Sequence, residues 1–336
     1  MSIKLALVTV DFHGHEDTLE LLQSCRKLDW AGTKFKFFVV DNGSSTPLPK
    51  HLEKDFPGVK VLRTGTNKGF AGGFNVGLKA AYKWGADFVL IVNNDVLFGD
   101  KKIIGKLLDT FSNKDAGVVA PKIYFAPGFE YRKDKYKKKD IGRVIWFAGG
   151  TFDWKTFQSE HWGLDEVDGG KYDLIEETST LCGCCVMIKR EVLEKVGYFD
   201  EDYFAYYEDN DYLVRLIRKG FKSFYNGKTF IYHKVSRTAG IGSPWSDYFL
   251  VRNKFFFGLK YANFKTRLFL LGNAFYYLFR GRPMQKRGAL DFFLGRMGAP
   301  DWLKLSKWML RASHSFAKRG KIFNSEILLN STHMGS

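Results

Sequence analysis

A run of apolar residues from Val89 to Val92 ends abruptly in two amides and a carboxylate, Asn93, Asn94 and Asp95. A short, continuous apolar run is typical of a strand that is buried on both faces in a parallel sheet. Ligands of open α/β sheets lie beyond the carboxyl ends of such strands. Oxygen-bearing side chains there suit a hard divalent cation shared with phosphate groups. Taken alone, the stretch fits a polar turn better than a metal site, so the interpretation depends on the remaining chain.

The first half of the chain alternates segments with the periodicity of strands and of helices. The sequence predicts strands at residues 3–10, 35–40, 59–63, 87–92 and 118–124, and helices at residues 15–28, 74–84 and 102–111. This β-α-β rhythm predicts an α/β fold with a mostly parallel central sheet flanked by helices.

Charge and cysteine content restrict the partners and the compartment. The formal net charge of +16 over 336 residues indicates an anionic partner: a phosphate-bearing substrate, an anionic membrane surface or nucleic acid. No nucleic-acid-binding motif is present, so we expect no nucleic acid. Three of the four cysteines fall within residues 182–185 and cannot cross-link the fold, so we expect a reducing, cytoplasmic location. No apolar stretch approaches the roughly 18 residues that a spanning helix needs.

The composition becomes aromatic and basic from about residue 248. Residues 268–279 are apolar nearly all round but too short to span a bilayer, which predicts either a buried helix or one lying in a membrane interface. We therefore expect residues 256–330 to form a helical extension that lies near a membrane or mediates dimerisation. Residues 331–336 have the composition of an expression-vector remnant.

Polar residues also follow other predicted strands. Asp41 follows the apolar residues 37–40 and could accept a hydrogen bond from a base or a ribose hydroxyl, or cap the turn at Ser44 and Ser45. A glycine-rich stretch at residues 67–75 enters the next helix, where small residues let a phosphate or ribose approach the backbone. Its spacing matches neither the dinucleotide fingerprint nor the Walker loop, which argues against an NAD enzyme and a P-loop NTPase.

Carboxylates and aromatic residues are crowded together in residues 200–211. At least one of these carboxylates is a candidate general base with a perturbed pKa, and the alternative is a solvated acidic entry to a helix. His233 ends another apolar strand, although a lone histidine is more often structural than a ligand. Arg252, further along the chain, could reach diphosphate oxygens.

Together these residues resemble a family 2 glycosyltransferase of the GT-A fold, in the branch that is similar to rhamnosyltransferases. The resemblance follows the family's order over residues 3–255, and it is carried by residues 8–11, 40–45, 67–75, 93–95, 197–200, 207–211, His233 and 252–253. It implies that residues 1–255 form a Rossmann-like GT-A catalytic domain.

The resemblance also implies roles for individual residues. Asp209 is implied as the catalytic base, supported by Glu208. Asp95 is implied as the metal-binding carboxylate of the family's "DxD" motif, whose first position here is Asn93, and His233 as a second ligand of Mg²⁺ or Mn²⁺. The acceptor site is implied at Gly183 and Trp146. The residues implied to bind the nucleotide sugar are Thr9, Asp11, Asp41, Asn67, Gly69, Gly72, Asn75, Asn93, Asn94 and Arg252.

The implied activity is an inverting transfer of a hexose, with L-rhamnose expected first. The expected donor is dTDP-rhamnose, with a UDP-sugar second. The expected acceptor is a saccharide or polyprenyl-linked saccharide of cell-surface polysaccharide biosynthesis. We expect the enzyme to bind it at the inner face of a membrane, and to be able to form a homodimer. One displacement inverts the anomeric centre, so no covalent intermediate is needed.

Two other classes of protein remain open at this point. A sugar nucleotidyltransferase would have a glycine-rich, basic loop directly after the first strand, and residues 11–15 match that poorly. A non-catalytic protein that binds carbohydrate or lipid head groups could keep the fold and lose the acids, but Asp95, Glu208 and Asp209 are all present.

Overall fold

The computed structural model describes residues 2–49, 51–132, 135–235 and 243–304. The chain divides into two compact units, Met1–Gly298 and Ala299–Ser336. Of the second unit the structure describes only residues 299–304, which include the short helix Asp301–Lys304. The domain boundary predicted at residue 255 lies inside a helix of the first unit, Pro244–Tyr261.

The described residues of the first unit contain twelve strands and nine α-helices. The strands are β1 Lys4–Asp11, β2 Lys34–Asp41, β3 Val59–Arg63, β4 Phe88–Val92, β5 Val96–Phe98, β6 Ala116–Phe125, β7 Ile145–Phe147, β8 Gly150–Asp153, β9 Gln158–His161, β10 Ile175–Glu177, β11 Cys185–Lys189 and β12 Lys222–His233. The helices are α1 His15–Cys25, α2 Leu52–Asp55, α3 Gly69–Trp84, α4 Ile103–Thr110, α5 Arg190–Lys195, α6 Glu208–Arg218, α7 Pro244–Tyr261, α8 Phe264–Arg280 and α9 Pro283–Phe293.

Ten strands form one mixed sheet in the order β10-β12-β6-β11-β4-β1-β2-β3, with β5 paired to β12 and β7 to β6. The pairs β4–β1, β1–β2, β2–β3 and β12–β6 are parallel, which confirms a mostly parallel sheet flanked by helices. The strand β11 is antiparallel to both of its neighbours, β4 and β6. Between β6 and β11 the chain makes one long excursion, residues 126–184, which includes β7, the hairpin β8–β9 and β10.

The central strand is the one that the sequence predicts. The residues of β4 from Val89 to Val92 are fully buried between β1 and β11. The helix α3 differs from its prediction, because it begins at Gly69 rather than at residue 74. The glycine-rich stretch is therefore the first part of a helix. Gly77, further along α3, lets the helix approach β1 so closely that an added Cβ would lie 2.2 Å from Cγ1 of Val8.

The C-terminal helices of the first unit pack against the β8–β9 hairpin and Tyr203 through an aromatic core. Phe255 and Phe257 of α7 belong to one buried cluster with Phe152 and Phe157 of the β8–β9 hairpin and with Tyr203. The opposite side of α8 stays open, since Phe264 is 74% exposed and Phe279 is 69% exposed. Among the helices that the structure describes, none has both the length and the apolarity that a membrane crossing needs.

Candidate active site

Asp95 and His233 meet beyond the ends of their strands. Asp95 precedes β5, and β5 pairs antiparallel with β12 so that Val96 faces His233. The backbone amide of Lys234 donates to the carbonyl of Asp95 at 3.0 Å. As a result Nε2 of His233 lies 3.1 Å from Oδ1 of Asp95, with both side chains largely buried.

The side chains of Asp95 and His233, called the metal pair below, have donor atoms that fit a divalent cation. Within the described residues, Oδ1 of Asp95 is buried without a hydrogen-bond partner, and Nε2 of His233 is the ring nitrogen that faces it. Adjacent ligands of an octahedral ion bound at about 2.0–2.1 Å lie about 3 Å apart, close to the observed distance. One carboxylate and one imidazole suit Mg²⁺ or Mn²⁺ when the other positions are taken by phosphate oxygens and water. Among the described residues, no three His, Cys, Asp or Glu side chains are grouped so that they could hold one metal ion. Phosphate oxygens and water would therefore be required as further ligands.

The second part of the site is the aromatic loop, defined here as residues 203–207. Phe204, Tyr206 and Tyr207 have φ angles of 64°, 67° and 71°, although none is a glycine. The left-handed region costs a bulky residue roughly 1–2 kcal/mol each time, so the surroundings must hold this backbone. The helix α6 begins directly after the loop, at Glu208.

Two helices hold the aromatic loop by its carbonyls. The backbone amide of Phe70, in the first turn of α3, donates to the carbonyl of Phe204 at 2.7 Å. The side chains of Arg252 and Asn253 on α7 donate to the carbonyl of Tyr203 at 3.0 and 2.8 Å. Thus the start of α3, which the sequence predicts as an anion site, has a carbonyl of its own chain as partner.

Glu208 and Asp209 are placed by this loop at the start of α6. Burial raises the pKa of Asp209 to about 6, although the backbone amides of Asn210 and Gly183 act against the rise. Burial and the neighbouring Asp209 raise the pKa of Glu208 well above its usual value. Asp209 thus opposes the ionisation of Glu208, while a pKa of about 6 leaves Asp209 itself ionised at neutral pH.

The predicted acceptor residues lie beside these acids and the metal pair. A Cβ added to Gly183 would lie 3.7 Å from Cβ of Asp209. The next residue, Cys184, accepts a hydrogen bond at its carbonyl from the amide of Asn93 at 2.8 Å. The Trp146 ring is 5.2 Å from the His233 ring, nearly perpendicular to it. Gly183 therefore lies beside Asp209, its neighbour Cys184 bonds the turn that leads to Asp95, and Trp146 packs against His233.

Asp11 and Asp41 lie side by side at the ends of β1 and β2, and both are buried. Asp11 accepts hydrogen bonds from the hydroxyls of Thr18 at 2.6 Å and Ser44 at 3.3 Å. Asp41 accepts from the Ser44 amide at 2.9 Å and from Arg63 at 3.2 Å. Here Asp41 caps the turn, and a base or ribose would have to share an oxygen that the chain already uses.

Of the other residues predicted to bind the nucleotide sugar, the side chains of Asn94 and Asn67 have hydrogen-bond partners within the described part of their own chain, and that of Thr9 does not. Thr9 is buried within β1, and its hydroxyl has no partner within the described residues. Asn94 donates to the carbonyl of Gly14 and to the Thr18 hydroxyl, both at 3.1 Å, which joins β4 to the Asp11 network. Asn67 accepts from the amide of Gly69 at 2.8 Å.

Two predicted residues on α3 pack against the segment that leads into the aromatic loop. Asn75 bonds the backbone of Phe199 and the side chain of Glu201. A Cβ on Gly72 would lie 3.2 Å from Oε2 of Glu201. Both therefore help to pack α3 against Phe199 and Glu201.

Arg252 has different partners from the diphosphate that the sequence predicts for it. Its guanidinium is fully buried and donates to the carbonyls of Tyr203 at 3.0 Å and Gly298 at 2.8 Å, and Nε donates to Oδ1 of Asn253 at 2.9 Å. A guanidinium only donates, so these acceptors take up the groups that a phosphate would use. Arg252 therefore supports the backbone of the aromatic loop.

Some structurally important residues are not recognisable from sequence reasoning. Thr18 links Asp11 to Asn94, and nothing in its local pattern marks it. Asn42 joins the turn after β2 to the start of α3, since its amide donates to the carbonyl of Gly69 at 2.9 Å and accepts from the amide of Lys68 at 3.0 Å. Its position directly after Asp41 at a strand end is the one signal that could have found it.

This geometry can deprotonate a hydroxyl and stabilise an anionic leaving group. A carboxylate with a pKa of about 6 is ionised at neutral pH and is still basic enough to accept a proton in a transition state. A cation at Asp95 and His233 would neutralise diphosphate charge.

Comparisons with known proteins identify a protein family and relatives that this chain resembles. The family described as Glycosyl transferase family 2 matches residues 12–197. The N-acetylglucosaminyl-diphospho-decaprenol L-rhamnosyltransferase of Mycobacterium tuberculosis is 29% identical over 216 residues, covering 60% of this chain and 67% of that protein. The low-salt glycan biosynthesis hexosyltransferase Agl10 of Haloferax volcanii is 24% identical over 216 residues, covering 64% of this chain and 62% of that protein.

A solved structure shares the fold. The mannosyltransferase PcManGT from Pyrobaculum calidifontis, in complex with GDP-Man and Mn²⁺, superimposes with a TM-score of 0.51 at 15% identity. The match covers 94% of this chain and 81% of the mannosyltransferase. At this identity the likeness shows the fold alone.

Two carboxyls in the first turn of α6, Asp209 and Asp211, should respond to pH with opposite signs. The pKa of Asp209 is raised in the folded protein, so ionisation costs stability as the pH rises from about 4 to 6. Burial also acts to raise the pKa of Asp211, but hydrogen bonds from Lys260, Tyr261 and Arg215 outweigh it and lower the pKa. Ionised Asp211 therefore stabilises the fold above its unfolded pKa, and that stability is lost on acidification.

We expect Asp209→Asn to be more stable than the wild type at pH 8, by about 1–2 kcal/mol because the group is partly hydrated. This gain should shrink between pH 6 and 4. Asp211→Asn should be less stable at pH 8, with a deficit that shrinks below pH 4. Urea unfolding of both variants at several pH values measures the difference, and a loss of stability in Asp209→Asn at pH 8 would contradict the raised pKa.

Proposed function

The chain belongs to glycosyl transferase family 2 and is therefore an inverting hexosyltransferase, and we propose that it transfers L-rhamnose from a nucleoside diphosphate to a saccharide. The observation that carries the proposal is that Gly183 lies beside Asp209, while the next residue, Cys184, accepts a hydrogen bond from the turn that leads to the Asp95–His233 pair. The resemblance to an L-rhamnosyltransferase supports the choice of sugar.

Asp209 acts as the general base in this proposal. It accepts the proton of the acceptor hydroxyl as that oxygen attacks the anomeric carbon from the face opposite the diphosphate. The carbon–oxygen bond to the diphosphate breaks in the same displacement, so the anomeric configuration inverts. Burial and the neighbouring Asp209 raise the pKa of Glu208 well above its usual value, so Asp209, with a pKa of about 6, is the acid assigned as the base.

Asp95 and His233 are the residues proposed to hold Mg²⁺ or Mn²⁺ at the diphosphate. A bound divalent ion supplies charge neutralisation for the leaving group. The mannosyltransferase that shares the fold is in complex with Mn²⁺ and a nucleotide sugar, which supports the same use here. Asn93 lies beside Asp95, where its amide donates to the carbonyl of Cys184 and so fixes the turn after β4.

The donor proposed first is dTDP-rhamnose, with a UDP-sugar second. Asp11 and Asp41 border the nucleoside in this proposal, and the hydrogen bonds from Thr18 and Ser44 orient their carboxylates. The proposed acceptor is a saccharide or a polyprenyl-linked saccharide of cell-surface polysaccharide biosynthesis. The mycobacterial relative is named for a diphospho-decaprenol, which supports the lipid-linked form.

The outer side of α8 and α9 is the surface proposed to meet an anionic membrane. Along α8, Phe264, Leu268, Phe275 and Phe279 follow one another at intervals of four, seven and four residues, so they share one exposed face. The exposed basic residues of residues 262–298 are Lys265, Arg267, Arg280, Arg282, Lys286, Arg287 and Arg296. Of these, Arg282 pairs with Asp247, and Arg287 and Arg296 pair with Asp291. The one carboxylate within residues 262–298, Asp291, is buried. Apolar side chains bordered by positive charge match an anionic bilayer.

Replacing the base should lower kcat without weakening the binding of the donor. Asp209→Asn keeps the shape but cannot accept a proton, so kcat should fall by about 10² or more. In the wild type, kcat should fall as the pH drops below about 6, because the base becomes protonated. Asp202→Asn, which changes an exposed carboxylate of the same acidic segment, is the control. Near wild-type turnover by Asp209→Asn would remove Asp209 from this role.

Donor and metal can be tested in one calorimetric titration of dTDP and UDP, with Mn²⁺ and with chelator. We expect dTDP to bind more tightly than UDP, and both to weaken at least tenfold in chelator, since charge neutralisation at the diphosphate is lost. His233→Ala should lose the Mn²⁺-dependent part of the affinity, while the exposed His51→Ala should keep it. Tighter binding of UDP would reverse the order of donors, and affinities that ignore chelator would contradict the metal site.

Membrane docking can be measured by flotation with vesicles of phosphatidylcholine and phosphatidylglycerol at low salt. The wild type should float with the anionic vesicles and stay unbound at high salt, because roughly 1 kcal/mol per basic residue is screened. The double variant Phe264→Ser/Phe279→Ser should bind at least tenfold more weakly, given about 1.5–3 kcal/mol for burying each ring. Tyr131→Ser, at an exposed aromatic residue outside this face, should bind normally. If the wild type does not bind the vesicles and is a dimer in solution, the exposed face of α8 would instead be a contact between two copies of the chain.

A further inference from the structure

The amide of Asn253 lies at a point where three carbonyls of the aromatic loop converge. Its Nδ2 is 2.8 Å from the carbonyl oxygen of Tyr203, 2.7 Å from that of Ala205 and 2.8 Å from that of Tyr206. The side chain is fully buried inside α7. An amide nitrogen has two hydrogens, so three acceptors share two donors and the loop is folded around this one group.

Arg252 determines which way that amide points. Its Nε donates to Oδ1 of Asn253 at 2.9 Å. Because a guanidinium cannot accept, the oxygen of Asn253 must face Arg252 and the nitrogen must face the loop. The guanidinium is itself held by the carbonyls of Gly298 and Tyr203. The two neighbouring side chains thus act as one rigid donor unit.

The aromatic loop needs such a unit, because its own sequence does not favour its shape. Phe204, Tyr206 and Tyr207 are left-handed residues without glycine, a conformation that persists only where the surroundings over-determine it. Tyr207 is also the N-cap residue of α6, and it offers no side-chain hydrogen bond to that helix start. The direction in which α6 leaves the loop is therefore set by the bonds to the loop carbonyls.

We propose that Asn253, oriented by Arg252, is a positioning residue that holds Asp209 against Gly183 through the aromatic loop. This inference rests on the proposed role of Asp209 as the base. Asn253 touches neither that carboxylate nor the metal pair. It acts on the backbone that carries Asp209, two residues beyond Tyr207.

The matched comparison is Asn253→Ala against Asn226→Ala. Asn226 is equally buried, and its amide also donates to a backbone carbonyl, that of Lys106, and to the Thr110 hydroxyl, but it has no bond to the aromatic loop. Asn253→Asp keeps the volume while presenting acceptors to three carbonyls, and so separates lost packing from lost donors.

Two measurements test the proposal. The first is amide hydrogen exchange of residues 203–211, which needs no substrate: exchange should be at least about tenfold faster in Asn253→Ala and Asn253→Asp, and unchanged in Asn226→Ala. The second is steady-state kinetics with dTDP-rhamnose, or with a UDP-sugar if UDP binds more tightly. Both Asn253 variants should lose about 10²-fold in kcat, as expected for a small misplacement of a reacting group, with donor KM within about threefold of the wild type.

A pH profile gives a readout that lost stability alone would not move. The base limb, near pH 6 in the wild type, should shift downward in the Asn253 variants because a displaced carboxylate is better hydrated. Unchanged exchange at residues 203–211, or a kcat no lower than that of Asn226→Ala, would overturn the proposal for Asn253. Full turnover by Asp209→Asn would instead remove the base and leave the exchange result standing.

Discussion

Four consecutive backbone carbonyls, from Tyr203 to Tyr206, accept hydrogen bonds from two helices that lie far apart in the sequence. The start of α3 binds one of them, and α7 binds the other three. Because α6 begins immediately after this loop, the bonds also fix where its acidic first turn lies. The rest of the site depends on this arrangement, since Asp209 faces Gly183 only while α6 keeps its place. A backbone that is unfavourable by itself is thereby made part of a rigid frame.

The parts of the fold that follow from local patterns are those that the sequence predicts. The buried run of β4 and the polar residues after it are recognisable because both depend on neighbouring residues. The strand β11 is not recognisable as an antiparallel insertion between β4 and β6, because register between distant strands leaves no local pattern. The approach of His233 to Asp95 leaves no local pattern either, since it requires the pairing of β5 with β12, and it is expected only through the family resemblance.

Residue type alone does not decide what a functional-looking side chain does. Arg252 and the glycines of α3 have the chemistry of a phosphate site, and the family resemblance places them there. In the structure the guanidinium binds carbonyls of its own chain, and Gly69 lets α3 approach the carbonyl of Phe204. Both assignments fail to follow from sequence for one reason: a donor binds whichever acceptor the tertiary fold brings to it.

The long excursion between β6 and β11 separates two tasks along the chain. Trp146 and Gly183, the residues proposed to face the acceptor, lie on this excursion, whereas Asp11, Asp41 and Asp95 lie on β1, β2 and the turn after β4. The excursion contributes only the short strands β7 and β10 to the sheet, so its loops can change in length and content while the other strands keep their register. Divergence within such a family can then replace the recognition of one glycan by another through a single continuous segment. The strand ends that are proposed to bind the nucleotide lie outside this segment and would not need to change.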